Sequence, residues 1–277
     1  MMKKAILVVS FGTSHLDALK SSIDKIENRI KDEFKGYDVF RAFTAHMIIK
    51  KLKVTHDMVI FTPEEALEDL KNKGYEEVVV QPLHIIPGEE FDYIKGIVRR
   101  YNKNFESIKL GRPIFFYQGM DELPKDYSLF IESIKDVLNN EESVVLFGHG
   151  TAHSGNAVYG MLQTVLEDEG YDNVFVATVE GYPTIQSCLN RMKKKGVTKT
   201  KLVPLLLVAG DHAKNDMASD EEDSLKSVLQ RNDIEVKLHI HGLGEIDSFG
   251  DLYITRIYDT IEDRYLNAGK TKKLRKH

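Results

Sequence analysis

The chain writes nearly one pattern twice, and this duplication limits its fold more than any other feature. Ala5-Ile6-Leu7-Val8-Val9-Ser10-Phe11-Gly12-Thr13-Ser14-His15 is answered by Val144-Val145-Leu146-Phe147-Gly148-His149-Gly150-Thr151-Ala152-His153. Farther on, the stretch from Val80 to Glu90 reads against that from Leu202 to His212, and Gly119-Met120-Asp121-Glu122-Leu123 against Gly242-Leu243-Gly244-Glu245-Ile246. A fold used twice keeps turn glycines and apolar runs in both copies, so chemistry is sought where the copies differ. The pairs that differ most are Phe11 against His149 and Glu90 against His212.

Each half alternates strand and helix. The run from Ala5 to Val9 is apolar without interruption, as in a parallel strand covered on both faces. Leu16, Leu19, Ile23, Ile26 and Ile30 follow at spacings of three and four, an amphipathic helix. The first half predicts further strands at 39–43, 78–83 and 114–117, with helices at 63–73, 91–101 and 128–138. The second predicts strands at 144–147, 174–179, 201–208 and 236–240, with helices at 156–169, 184–194, 219–230 and 248–264. Such alternation implies α/β architecture: two similar doubly wound domains, each a mostly parallel four-stranded sheet, with a cleft between the lobes. The expected lobes are residues 1–139 and 143–265, followed by a basic tail at 266–277. At 277 residues the chain has room for two cores.

Composition narrows the partners. With 38 basic and 43 acidic residues the net charge is −5, which offers nucleic acid no general attraction. The single cysteine, Cys188, rules out an intramolecular disulfide and a cysteine-only metal site, and fits a reducing cytosol. Lys3-Lys4 precede an apolar run too short for a signal peptide or a membrane span. A cytoplasmic location without a membrane partner is therefore expected. Neither copy carries G-x-G-x-x-G or a Walker lysine, so no ATP or other nucleotide is expected. Oligomeric state stays open, a homo-oligomer included.

Ligands of open parallel sheets bind beyond the carboxyl ends of the strands. In the second half His149 ends the first strand, Glu180 the second, and His212 lies just beyond the third. Each has an ordinary structural reading, as a partner of a neighbouring carbonyl, a turn residue or a helix cap. Together they bring two imidazoles and a carboxylate to one rim, a ligand set for a borderline divalent ion with positions left open. A histidine of ordinary pKa, about 6.5, is mostly neutral at pH 7 and can take either a metal or a proton. His15 and His153 match across the repeat and read as structural; His84 reads as a cleft-wall or core histidine.

The opening Val9-Ser10-Phe11-Gly12-Thr13-Ser14, Gly148-His149-Gly150-Thr151, Val179-Glu180-Gly181-Tyr182-Pro183 and Gly210-Asp211-His212-Ala213 together resemble the anaerobic cobalt chelatases of cobalamin biosynthesis, over essentially all of the chain but the tail. The resemblance implies an ATP-independent lyase that inserts a divalent metal, Co(II) as substrate, into the tetrapyrrole sirohydrochlorin. It implies metal binding by His149, Glu180 and His212, with Glu89 or Glu90 as the acidic residue on the facing lobe. His149, His212, Glu89 and Glu90 are then the catalytic candidates, and either histidine can serve as ligand or proton acceptor. Ser10, Phe11 and His84 fall on the first-lobe side, where Phe11 in place of a histidine leaves an apolar wall for the ring. Arg41, Lys50, Lys51 and Lys53 are candidates for the carboxylates of such a substrate. Two other readings are a ferrochelatase or nickel chelatase acting on a related tetrapyrrole, and a two-lobed haem- or tetrapyrrole-binding protein without catalysis.

Overall fold

A computed structural model describes residues 2–119, 122–138, 142–211 and 213–265; His212, residues 139–141 of the expected boundary and the basic tail at 266–277 lie outside the described residues. The first half folds as β1 (Lys4–Ser10), α1 (Leu16–Ala18), a π-helical stretch Leu19–Asp24, α2 (Lys25–Glu33), β2 (Asp38–Phe43), α3 (His46–His56), α4 (Pro63–Asn72), β3 (Glu77–Pro82), α5 (Glu89–Tyr101), β4 (Ser107–Leu110) and α6 (Asp126–Ser133). The second half gives β5 (Ser143–Gly148), α7 (Ala157–Asp168), β6 (Val174–Thr178), α8 (Ile185–Lys194), β7 (Lys199–Pro204), α9 (Leu225–Gln230), β8 (Glu235–Leu238) and α10 (Asp247–Ile261). The sheets have the orders β2-β1-β3-β4 and β6-β5-β7-β8, and every pair is parallel. The expected fold class is the one found.

The uninterrupted apolar run of β1 has the predicted cause. Ala5, Leu7 and Val9 enter an outer cluster with α4 and α5, whereas Ile6 and Val8 face a central cluster. β5 behaves likewise, with Val145 and Phe147 outward and Val144 and Leu146 inward. The two inward faces share one core, filled by residues of α2, α6, α7 and α10. Sequence order groups α10 with the second lobe, yet its contacts run to α2, α6, β3 and β4 of the first. There Arg256 is fully buried and donates to the carbonyls of Pro113 (3.2 Å) and Ile114 (2.9 Å) and to Asp126 (3.1 Å).

Strand β7 ends at Pro204 and helix α6 at Ser133, short of the expected 208 and 138, and three other elements depart further. The fourth strand of the first sheet is Ser107–Leu110, not 114–117; Ile114 and Phe115 instead fill the central core. Helix α9 begins at Leu225, because Ser224 caps it by accepting the Ser227 N–H at 3.1 Å. Helix α3 was not foreseen, since Leu52 is its single buried residue and no apolar stripe announces it.

Candidate active site

The carboxyl ends of the central strands of both sheets open on one cleft of about 540 Å³, a size that takes an organic ligand. Phe11, Leu83, Ile85, Ile86, Glu89 and Glu90 line it from the first lobe, and His149, Glu180 and the stretch from Leu205 to Val208 from the second. Parallel pairing continues past the strands and builds the second-lobe rim. The Val179 N–H donates to Gly148 O at 3.1 Å and the Glu180 N–H to His149 O at 2.8 Å, which sets Glu180 beside His149. The Leu205 N–H donates to Phe147 O at 2.8 Å on the other side.

Local chemistry fixes this turn. Gly150 has φ +80°, and a Cβ there would stand 2.6 Å from the Gly181 nitrogen, so the two loops touch through glycine backbone. Asn156 ties them further, accepting the Thr151 N–H at 3.2 Å and donating to Tyr182 O at 2.8 Å. His149 Nδ1 lies 3.0 Å from Gly150 O. A carbonyl can only accept, so the proton sits on Nδ1 and the neutral ring carries its lone pair on Nε2, the arrangement usual for a metal-binding imidazole.

The first-lobe wall is largely apolar. Phe11 is 51% exposed and borders the cleft where the second copy has His149. His84, opposite Leu206 in the repeat, also lines it, but both ring nitrogens are buried without a hydrogen-bond partner. Desolvation pushes its pKa down to about 4, so the ring is neutral near pH 7. Glu89 and Glu90 sit in the first turn of α5. Ser10 does not reach the cleft: it is 2% exposed, with its hydroxyl buried. Inward alternation at the end of β1 turns it away from the ligand side expected for it. The structure thus brings His149, Glu180, Glu89, Glu90, Phe11 and His84 together, and His212 lies outside the described residues.

The basic candidates are corrected. Lysine and arginine are absent from the described residues lining the cleft. Arg41 is held by Glu27 (2.8 and 2.6 Å) and by Asp24, an ion-pair cluster away from the cleft. Lys50, Lys51 and Lys53 ride on α3, which reaches the cleft only through Ile48.

Two contacts across the cleft were missed. His15 Nε2 lies 2.9 Å from Asp211 Oδ1, and His153 Nε2 lies 3.4 Å from Asp92 Oδ2. Each histidine belongs to one lobe and its carboxylate to the other. In both loops the histidine N–H donates to the threonine two residues before it, Thr13 at 3.2 Å and Thr151 at 3.0 Å. The matched histidines were visible in the repeat; their cross-lobe partners were not.

Comparison with known proteins agrees with this geometry. The chain is 35% identical over 263 residues to the sirohydrochlorin cobaltochelatase of Salmonella typhimurium, covering 94% of this chain and 97% of that protein. It is 28% identical over 262 residues to the sirohydrochlorin cobaltochelatase CbiKC of Nitratidesulfovibrio vulgaris, with 93% and 90% covered. The sirohydrochlorin chelatase SirB of Bacillus subtilis subspecies spizizenii, solved in complex with cobalt, shares the fold at TM-score 0.62 and 18% identity, covering 95% of this chain and 97% of that one. The sequence profile of the cobalt chelatase (CbiK) family matches residues 4–262, and the chain belongs to that family.

Proposed function

We propose that the protein is a sirohydrochlorin cobaltochelatase, inserting Co(II) into sirohydrochlorin with release of two protons, a step of anaerobic cobalamin biosynthesis, without ATP. The observation that carries this reading is the asymmetric cleft. One wall presents His149 and Glu180 side by side, and the other presents Phe11 and aliphatic side chains. Kinship with named cobaltochelatases over nearly the whole chain supports the choice of metal and ring. Helices long and apolar enough to cross a membrane are absent among the described residues.

Insertion balances simply: one dication enters, and two pyrrole N–H protons leave. His149 Nε2, Glu180 and, from its place in the sequence, His212 hold the incoming ion with positions open to the ring nitrogens. Glu180 offsets the ion's charge, and the open coordination keeps the hold weak enough for the ion to pass to the ring nitrogens. Phe11, Ile85 and Ile86 cover one face of the macrocycle, and Leu206 and Leu207 the other. The protons pass to His149 or His212 on the metal side and to Glu89 or Glu90 on the facing lobe. With the lining free of lysine and arginine, the substrate's carboxylates are assigned to the solvent-facing rim.

The test is an anaerobic absorbance assay with sirohydrochlorin and Co(II), run beside His149→Ala and with Fe(II) and Ni(II) as competitors. A catalytic, cobalt-dependent spectral change that drops by 100-fold or more in the variant is the expected result. Ring binding without any rate above the uncatalysed insertion, with every ion, would sink the proposal and leave a tetrapyrrole-binding protein.

A further inference from the structure

Metal-competent side chains also gather away from the cleft, past the end of β8. The His239 N–H donates to Leu202 O at 2.9 Å, extending the parallel ladder one residue beyond the strand. His239 and His241 stand two apart on extended chain, a spacing that sends both side chains to one side. Their ring centres are 5.0 Å apart. Two imidazoles bound to one ion at about 2.0–2.1 Å, subtending roughly 90–110°, hold their ring centres about 4.5–5.3 Å apart. The pair already has the spacing of two ligands on one ion.

The surroundings orient the donors. His241 lies 2.8 Å through Nδ1 from Glu245 Oε2, and the other carboxylate oxygen accepts the Gly242 N–H at 2.8 Å. A carboxylate only accepts here, so Nδ1 of the exposed His241 ring carries a proton and Nε2 is the nitrogen left for an ion, as in carboxylate–histidine–metal arrangements. The repeat isolates the feature in the second lobe: aligning Gly242 with Gly119 sets Phe116 and Gln118 opposite the two histidines. Gln118 is spent internally, donating to Ser128 (3.0 Å) and accepting the Tyr127 N–H (3.2 Å).

We infer that His239 and His241 form a second divalent-cation site, with Glu245 orienting His241 and water completing the coordination. Among the described residues no three metal-competent side chains converge, so this is an open two-ligand site and not a closed structural one. Two imidazole nitrogens select a borderline ion such as Co(II), Ni(II) or Zn(II) over Mg(II) or Ca(II). The following loop is bonded to the cleft wall, the Leu243 and Gly244 N–H groups donating to Leu206 and Leu207 O at 2.9 Å each. The ion is thus held on the element that backs the cleft.

The test is equilibrium dialysis of the full chain against Co(II) followed by metal analysis. The native protein is expected to hold one ion per chain more than His239→Gln/His241→Gln, and the difference is expected to persist in a His149→Ala background, which separates this site from the cleft. Single His241→Gln changes an exposed ring and guards against misfolding of the double variant. Glu245→Gln is expected to weaken the extra ion about 10–100-fold. Equal ion counts in the native and His241-substituted proteins overturn the inference.

Discussion

At the residue scale, Gly150 and His84 make opposite demands on the cleft. Gly150 holds a left-handed φ of +80° against the Gly181 backbone, so a Cβ there meets both backbone strain and a 2.6 Å contact. Gly150→Ala is expected to cost about 1–3 kcal/mol. It should also displace His149, so a thermal melt and a Co(II) titration of the variant should both show loss. His84 is a cleft-wall imidazole whose ring nitrogens are buried, and it is neutral when folded, with its pKa pushed down to about 4 against about 6.5 unfolded. Between those values the unfolded chain binds a proton that the folded chain does not. Stability attributable to His84 is therefore whole above pH 6.5 and falls as the pH drops toward 4. The full loss is about 3 kcal/mol. His84→Leu, which copies Leu206 of the second lobe, should flatten this part of the stability profile; denaturant melts at pH 7 and pH 4.5 that fall equally in both proteins would refute the assignment.

At the scale of elements, α4 shows how far local signals reach. Thr62 accepts the Glu65 N–H at 3.3 Å and Glu65 accepts the Thr62 N–H at 2.8 Å, the reciprocal cap that Thr62-Pro63-Glu64-Glu65 announces. Thr62→Ala should cost about 1 kcal/mol in a chemical melt with activity unchanged. The central strands were equally legible, because a parallel strand buried on both faces must be apolar throughout. Edge strand β4 was not, since its Ser-Ile-Lys-Leu is short and half-exposed while Ile114 and Phe115 nearby are more apolar for a tertiary reason. The same division holds at the site. His149 and Glu180 could be placed together because strand order and parallel pairing decide their separation. The unused hydroxyl of Ser10, the ion pairs of Arg41 and the cross-cleft partners of His15 and His153 depend on which face turns inward and how the lobes meet. One sequence does not encode those facts locally.

At the scale of the whole molecule, the lobes are joined behind the cleft and latched across it. Behind it, Asp126 receives Arg112 and Arg256 at 3.1 Å, and Asp259 receives Arg112 at 2.8 Å, all four buried. Removing the fully buried Asp126 as Asp126→Ala leaves two guanidiniums facing each other without it. About 3–5 kcal/mol should be lost, and both lobes should melt together at lower temperature because they share the central core. Across the mouth, His15 to Asp211 and His153 to Asp92 repeat one device in opposite directions, so each lobe contributes one histidine and one carboxylate. These pairs are exposed and contribute little to folding. Their geometric effect is larger, since each ties a histidine-bearing loop of one lobe to a carboxylate of the other, Asp92 on α5 and Asp211 beyond β7. Asp92→Asn/Asp211→Asn, with spin labels on the outer helices α4 and α8, should keep the melting temperature and broaden the interlobe distance distribution. An unchanged distribution would mean that the shared core alone sets the width of the cleft.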